Sequence, residues 1–319
     1  MSTSAGSRLA AWLDLTRLSN LPTALSNVLV GLYLGFAVAV IRGEIPASAP
    51  RSGELLIALL AHGWPLFIAV ACLYVGGMIL NDIADLPVDR ELQPGRPVPS
   101  GRVSRGLAGT VAAILIAAGI AISASFGAGV LAMAGLLAAA IVGYDLWHHL
   151  YPATVSLMGV SRGLVYLLAA SAVPDAGPGG PVFWAVVLPP AVILGGYVVL
   201  LTAVARRETA SDVGPRRRLA WLILLVAVAG PPLVVLPDTW QSAVTAIIVG
   251  VLLVIWLARP VRLVSAEPPR TGEAVRRWLA GICLLDAWFL ALLATLWPPL
   301  LALLAFGVTL AAHRRIRAT

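Results

Sequence analysis

The chain has 319 residues, 60% of them hydrophobic and only 12% charged, with a mean hydropathy of +0.93. Soluble domains are usually about half apolar and about a quarter charged, so this composition excludes an ordinary water-soluble domain and points to lipid as the main solvent. The net charge of +7 comes from arginine alone, since the chain has no lysine, and those arginines lie between apolar runs rather than on one basic face, which argues against nucleic-acid binding.

Apolar runs of about 18 or more residues are long enough for a helix to cross a bilayer. They predict one all-α transmembrane domain over 1–319, with spans near 19–41, 55–80, 106–124, 127–147, 154–173, 182–205, 218–236, 240–258 and 275–297. Ahead of the first span, the polar residues up to Ala10 carry no short apolar segment with a small-residue cleavage site, so that span is expected to stay in the mature protein. Span two ends in Asn81-Asp82-Ile83-Ala84-Asp85-Leu86-Pro87-Val88-Asp89, and Arg90, Arg96, Arg102 and Arg105 follow. Span four ends in Tyr144-Asp145-Leu146-Trp147-His148-His149. Span six contains Pro189-Pro190 and runs into Arg206, Arg207, Glu208 and Asp212. Cys72 and Cys283 lie inside apolar runs, so neither a disulfide frame nor a thiolate metal site is expected.

Arginine placement orients the bundle. Arginines precede span one and follow spans two, six and eight, whereas the opposite loops hold only Arg42 and Arg51. By the positive-inside rule the N-terminus and the loops after even-numbered spans face the cytoplasm of a multi-pass cell-membrane protein. Nine spans would then leave Arg314, Arg315 and Arg317 outside. Leu300–Ala312, beyond Pro298-Pro299, is either a shortened tenth span or an extension of the ninth, and nine is adopted here. Trp64, Trp184, Trp240 and Trp297 are expected in the interfacial belt.

Asp82, Asp85 and Asp89 are three and four residues apart, which puts them on one helical face. Crowded carboxylates repel one another unless a cation sits among them, and an oxygen-rich set suits Mg²⁺, which also bridges to substrate phosphates. Asn81 adds an amide oxygen, and the arginines beyond can grip phosphate in bidentate fashion. Such a pairing suits a diphosphate ester. From spacing alone, a mixed-charge loop that solvates a helix end remains open.

The stretch NDIADLPVDRELQPGRPVPSGRVS resembles the first aspartate-rich region of the UbiA superfamily of intramembrane prenyltransferases. Asn81, Asp82, Asp85 and Asp89 match its Asn-Asp-x-x-Asp-x-x-x-Asp motif, and Arg96, Pro97, Ser100 and Gly101 match the Arg-Pro-x-x-Ser-Gly loop. Arg17, Asn20, Pro22 and Thr23 occupy a first-span position where the family often has basic and polar residues. YDLWHH, SRGLVYLLA and the arginine-rich end of span six resemble a divergent branch, the UbiA-type proteins encoded in ebo gene clusters. The resemblance implies a bundle of about nine helices around a central cavity. It also implies transfer of an isoprenoid from a Mg²⁺-bound polyprenyl diphosphate to a lipid-soluble acceptor. Asp82, Asp85 and Asp89 would hold Mg²⁺ with help from Asn81, while Arg96 and Arg102 would bind diphosphate.

Two departures matter. The family's second aspartate-rich motif is replaced by Arg206-Arg207-Glu208 with Asp212 four residues on, so Glu208 and Asp212 are candidates for a second cation and equally for simple charge balance at a basic helix end. Where the family has a tyrosine and then a Lys/Arg pair, this chain has Tyr144 and then His148-His149, candidates for substrate contact or for an interfacial role. Arg162 lies about 12 Å into span five and Asp286 about 15 Å into span nine at about 1.5 Å per residue. Their depths suit an ion pair, with Arg162 reaching the diphosphate as the alternative. The leading expectation is a prenyltransferase. A non-catalytic prenyl-lipid binding or transport protein with a degenerate second motif is the runner-up.

Overall fold

The computed structural model describes residues 5–46, 53–207, 213–294 and 296–315. It is built of helices, with no strand among the described residues. The order is α1 (Ala5–Thr16), a 3₁₀ turn at Leu18–Asn20, α2 (Leu21–Ile41), α3 (Gly53–Ala84), α4 (Leu86–Leu92), α5 (Arg105–Ala124), α6 (Ala128–Trp147), α7 (Val155–Ser171), α8 (Pro181–Ala205), α9 (Val213–Val234), α10 (Trp240–Val264), α11 (Thr271–Leu293) and α12 (Trp297–Arg315). Seven of these helices are long and apolar enough to cross a membrane. α7 is a shorter apolar helix, and α2, α7 and α11 are the most enclosed, each with a near-continuous run of buried residues.

Small residues allow that central packing. In lipid there is little hydrophobic drive between helices, so close backbone approach and interhelical hydrogen bonds take over. Gly159 of α7 lies against Gly195 of α8 so closely that a Cβ at residue 159 would collide with the Gly195 carbonyl oxygen and the Val199 side chain. Exposed Leu, Ile, Val and Trp side chains cover the outer helices, as expected for a lipid-facing surface. Trp64, Trp184, Trp240 and Trp297 are among them.

α12 is a separate helix packed along α11 and α2, not an extension of α11. Its last turn returns to the start of α2, where His313 Nε2 and Asn20 Oδ1 are 2.6 Å apart. Arg314 thus lies at the same end of the bundle as Arg17, which relieves the conflict that a nine-span count creates with arginine placement. α8 runs unbroken through Pro189-Pro190, so that pair does not make the interrupted helix a transporter reading would use.

Candidate functional site

The aspartate motif lies where α3 gives way to α4. The Asp85 N–H still bonds to the Asn81 carbonyl at 2.9 Å and the Asp89 N–H to the Asp85 carbonyl at 2.8 Å, so helical spacing carries across the junction. Pro87 is tolerated because it falls in the first turn of α4, where its missing N–H needs no partner. Asn81, Asp82 and Asp89 are buried and Asp85 half-buried.

The segment after α4 folds back over the motif. Ser100 N–H and Oγ both donate to the Arg96 carbonyl, at 3.0 and 2.6 Å, and the Val103 N–H donates to that of Pro97. Gly101 takes the left-handed conformation (φ 74°) that the turn requires and that glycine adopts without a steric penalty. Val98 and Val103 anchor this loop in a small core with Ala11, Leu15, Ile79 and Leu86, which ties α1 to the site.

This scaffold places Arg96 among the three aspartates. One nitrogen, Nη1, lies 2.6 Å from Asp89 Oδ2, 3.9 Å from Asp82 Oδ1 and 4.0 Å from Asp85 Oδ2, while Nε donates to Gln93 at 2.9 Å. Arg17 joins them, its Nη2 2.8 Å from Asp82 Oδ1. Arg17 itself holds a left-handed backbone (φ 44°, ψ 43°), a conformation that costs of order 1–3 kcal/mol in a non-glycine residue and that recurs at functional sites. A single cationic nitrogen within ion-pair range of all three carboxylates marks a place that a hard divalent cation would fit. The donors are oxygens, and they surround one point.

Asp85 divides its two oxygens. Oδ2 faces Arg96, and Oδ1 receives both His148 Nε2 and His149 Nε2 at 2.8 Å. Burial alone would raise the Asp85 carboxyl, but the hydrogen bonds and charges of His148 and His149 outweigh it and hold it below the usual carboxylate range. The bond to Asp85 raises the His148 imidazole above its ordinary value, against a smaller opposing effect of burial. Tyr144 stacks on His148 with ring centroids 5.0 Å apart, and Arg206 lies 6.0 Å above the Tyr144 ring.

Below this polar rim a cavity of ≈ 380 Å³ enters the bundle. Arg17, Arg96, Tyr144 and Asp145 line its mouth, and Val70, Leu73, Leu137, Ile141, Met158, Val198 and Leu201 form much of its wall. Arg162 stands in that wall, over the Tyr74 ring at 5.4 Å. It is not ion-paired with Asp286. Its Nη1 donates to Asn27 Oδ1 at 3.2 Å, and the Asn27 amide donates to both Asp286 oxygens, at 3.0 and 2.8 Å. The expected pair is therefore a relay through Asn27, and the guanidinium remains at the cavity surface.

One further sequence candidate is turned away from the cavity. Arg102 turns outward, with Nη2 on the Gly95 carbonyl at 2.7 Å and Nη1 3.8 Å from Asp14, so it braces the loop and is not brought to the cavity. Glu208 and Asp212 lie outside the described residues. Sequence reading singled out Arg17 and His149 without their contacts and assigned Asp145 no role. Arg17 contacts the motif directly, His149 matches His148 on Asp85, and Asp145 is buried with one carboxylate oxygen lacking a hydrogen-bond partner. An acidic residue three positions before two histidines, at the end of an apolar span, was the available signal for Asp145.

Residues 28–278 match the model of the UbiA prenyltransferase family. Two relatives are digeranylgeranylglyceryl phosphate synthases. The one from Sulfurisphaera tokodaii is 31% identical over 90 residues, covering 28% of this chain and 30% of that protein. The one from Sulfolobus acidocaldarius is 30% identical over 117 residues, covering 37% and 36%. The chain thus spans about a third of the length of the curated relatives it matches. Among solved structures, a UbiA homologue from Aeropyrum pernix K1 superposes with a TM-score of 0.64 at 20% identity, over 85% of this chain and 96% of that one. A UbiA homologue from Archaeoglobus fulgidus, bound to GPP and Mg²⁺, gives 0.56 at 16% identity over 94% and 99%.

Proposed function

Since the chain belongs to the UbiA prenyltransferase family, we propose that it transfers a prenyl group from a polyprenyl diphosphate to a lipid-soluble acceptor within the membrane. The observation that carries this reading is the convergence of Asp82, Asp85 and Asp89 on one cationic nitrogen at the mouth of an apolar cavity. The acidic rim and its arginines suit a metal-bound diphosphate, and the cavity below suits a hydrocarbon chain.

Mg²⁺ held by Asp82, Asp85 and Asp89, with Asn81 beside them, would supply charge neutralisation to a departing diphosphate. Arg96 and Arg17 line the same mouth, and their guanidinium groups would offer paired donors to phosphate oxygens. Tyr144 lines the same mouth with His148 stacked against it, and Arg102 keeps the Arg96 loop in place. The apolar walls keep water from the allylic cation that ionisation produces. Arg162, in the wall and with no carboxylate partner among the described residues, is assigned to an anionic group of donor or acceptor. Glu208 and Asp212 are assigned to a second cation on sequence grounds. The motif end of the bundle is assigned to the cytoplasmic face, where arginine placement puts it.

Purified protein supplied with labelled polyprenyl diphosphate, Mg²⁺ and a panel of hydrophobic acceptors tests the assignment. Prenylated acceptor and released diphosphate support it. Intact donor across the whole panel favours a prenyl-lipid carrier instead.

A further inference from the structure

The His148-His149 pair and Asp85 form a cluster that a Mg²⁺-diphosphate site does not require. Their three ligand atoms, Asp85 Oδ1 and the two Nε2 atoms, lie within 4.8 Å of one another. His148 Nδ1 sits 3.2 Å from the carbonyl oxygens of both Tyr144 and Asp145, groups that only accept hydrogen bonds, so Nδ1 carries a proton. In neutral His148 the Nε2 lone pair would then point straight at a carboxylate oxygen 2.8 Å away, which is repulsive. Only a second proton or a metal ion between the two atoms makes that contact favourable. His149 Nε2 meets the same oxygen at the same distance, and its ring lies 3.8 Å from that of His148, too close for two imidazolium ions to sit comfortably. A ring nitrogen on a backbone carbonyl with the opposite nitrogen turned toward a carboxylate and a second imidazole is the arrangement that outer-shell bonds impose on metal-bound histidine.

We propose that Asp85, His148 and His149 bind a transition-metal ion of the Zn²⁺ or Co²⁺ type, at a site separate from the hard-cation position among Asp82, Asp85 and Asp89. Imidazole nitrogens suit such ions and not Mg²⁺. Three protein ligands leave room for water or a phosphate oxygen. Asp85 belongs to both positions, Oδ2 facing the Arg96 nitrogen among the acids and Oδ1 facing the histidines, so it bridges a hard site and a borderline one. The site stands whether or not the protein transfers prenyl groups.

The test uses full-length protein purified on a histidine-free tag, stripped with chelator and titrated with Co²⁺. The expected result is one equivalent bound with a visible d–d absorption band, displaced by Zn²⁺ but not by excess Mg²⁺. His148→Gln and His149→Gln each weaken binding on the order of 10–100-fold, whereas His62→Gln, far along α3, does not. His149 is partly exposed, so its variant keeps the fold and serves as the second probe. No Co²⁺ band in the wild type, or equal binding by the double His148→Gln/His149→Gln protein, overturns the site and leaves a protonated His148 on Asp85.

Discussion

Arg162 and Asp286 do not meet, because Asn27 stands between them, its oxygen accepting from the arginine and its nitrogen donating to the carboxylate. Asp286 is fully buried and also accepts from the hydroxyls of Ser26 and Tyr166. Three polar residues from α2 and α7 thus close round one carboxylate of α11, and Arg162, at the edge of the group, faces the cavity.

Asp286→Ala removes the acceptor shared by three donors. Interhelical hydrogen bonds in membrane proteins average about 0.6 kcal/mol and reach about 1.7, so the loss is expected to be roughly 2 kcal/mol. Asp286→Asn, which keeps one acceptor oxygen, is expected to lose less. Thermal melting in detergent checks both, and an Asp286→Ala midpoint equal to wild type contradicts the relay.

Arg162→Leu is expected to leave the melting midpoint close to wild type, since the residue lines the cavity. It should lower kcat/KM on the order of 10–100-fold, the equivalent of a charge-assisted hydrogen bond of about 1.5–3 kcal/mol. Steady-state kinetics with donor and acceptor varied separately show which substrate it holds. Unchanged kinetics for both would return Arg162 to a purely structural role.

Arg96→Ala should have opposite effects on two ligands. Asp82, Asp85 and Asp89 lose their shared internal cation, so affinity for the divalent ion alone rises. Affinity for the diphosphate in the presence of that ion falls, because a phosphate-binding group is gone. Calorimetry with Mn²⁺ and then with inorganic diphosphate reads both signs. A fall in both would mean that the Arg96 loop is needed simply to hold the aspartates.

Gly159→Ala puts a methyl group into the Gly195 carbonyl and the Val199 side chain, and backbone cannot give way as a side-chain tip can. Overpacking of this kind costs typically 1–3 kcal/mol, so a lower melting midpoint is expected. Gly135→Ala, where an added Cβ meets nothing, should be neutral in the same assay.

The features readable in sequence were those written in local spacing. Apolar run length located the helices, and the three- and four-residue spacing of Asp82, Asp85 and Asp89 put them on one face, which the helical hydrogen bonds across Asp85 preserve. What sequence could not supply was long-range pairing. Arg17 and Asp82 are 65 residues apart, His149 and Asp85 64, and His313 and Asn20 293. Arg102 shows the converse. Its proximity in sequence suggested a phosphate ligand, yet the turn through Ser100 and Gly101 sends it to the outside of the loop. The depths of Arg162 and Asp286 were rightly matched, but a third residue between them could not be inferred from depth.

Asp82, Asp85 and Asp89 are proposed to hold a divalent ion that in turn holds a prenyl diphosphate. Equilibrium binding of a non-ionisable prenyl thiodiphosphate to purified protein, with and without Mg²⁺, tests it most directly when repeated on Asp82→Ala and Asp89→Ala. The expected result is Mg²⁺-dependent binding that chelator abolishes and that falls on the order of 10²-fold in either variant. Binding of equal strength without Mg²⁺, or undiminished in both variants, would contradict it.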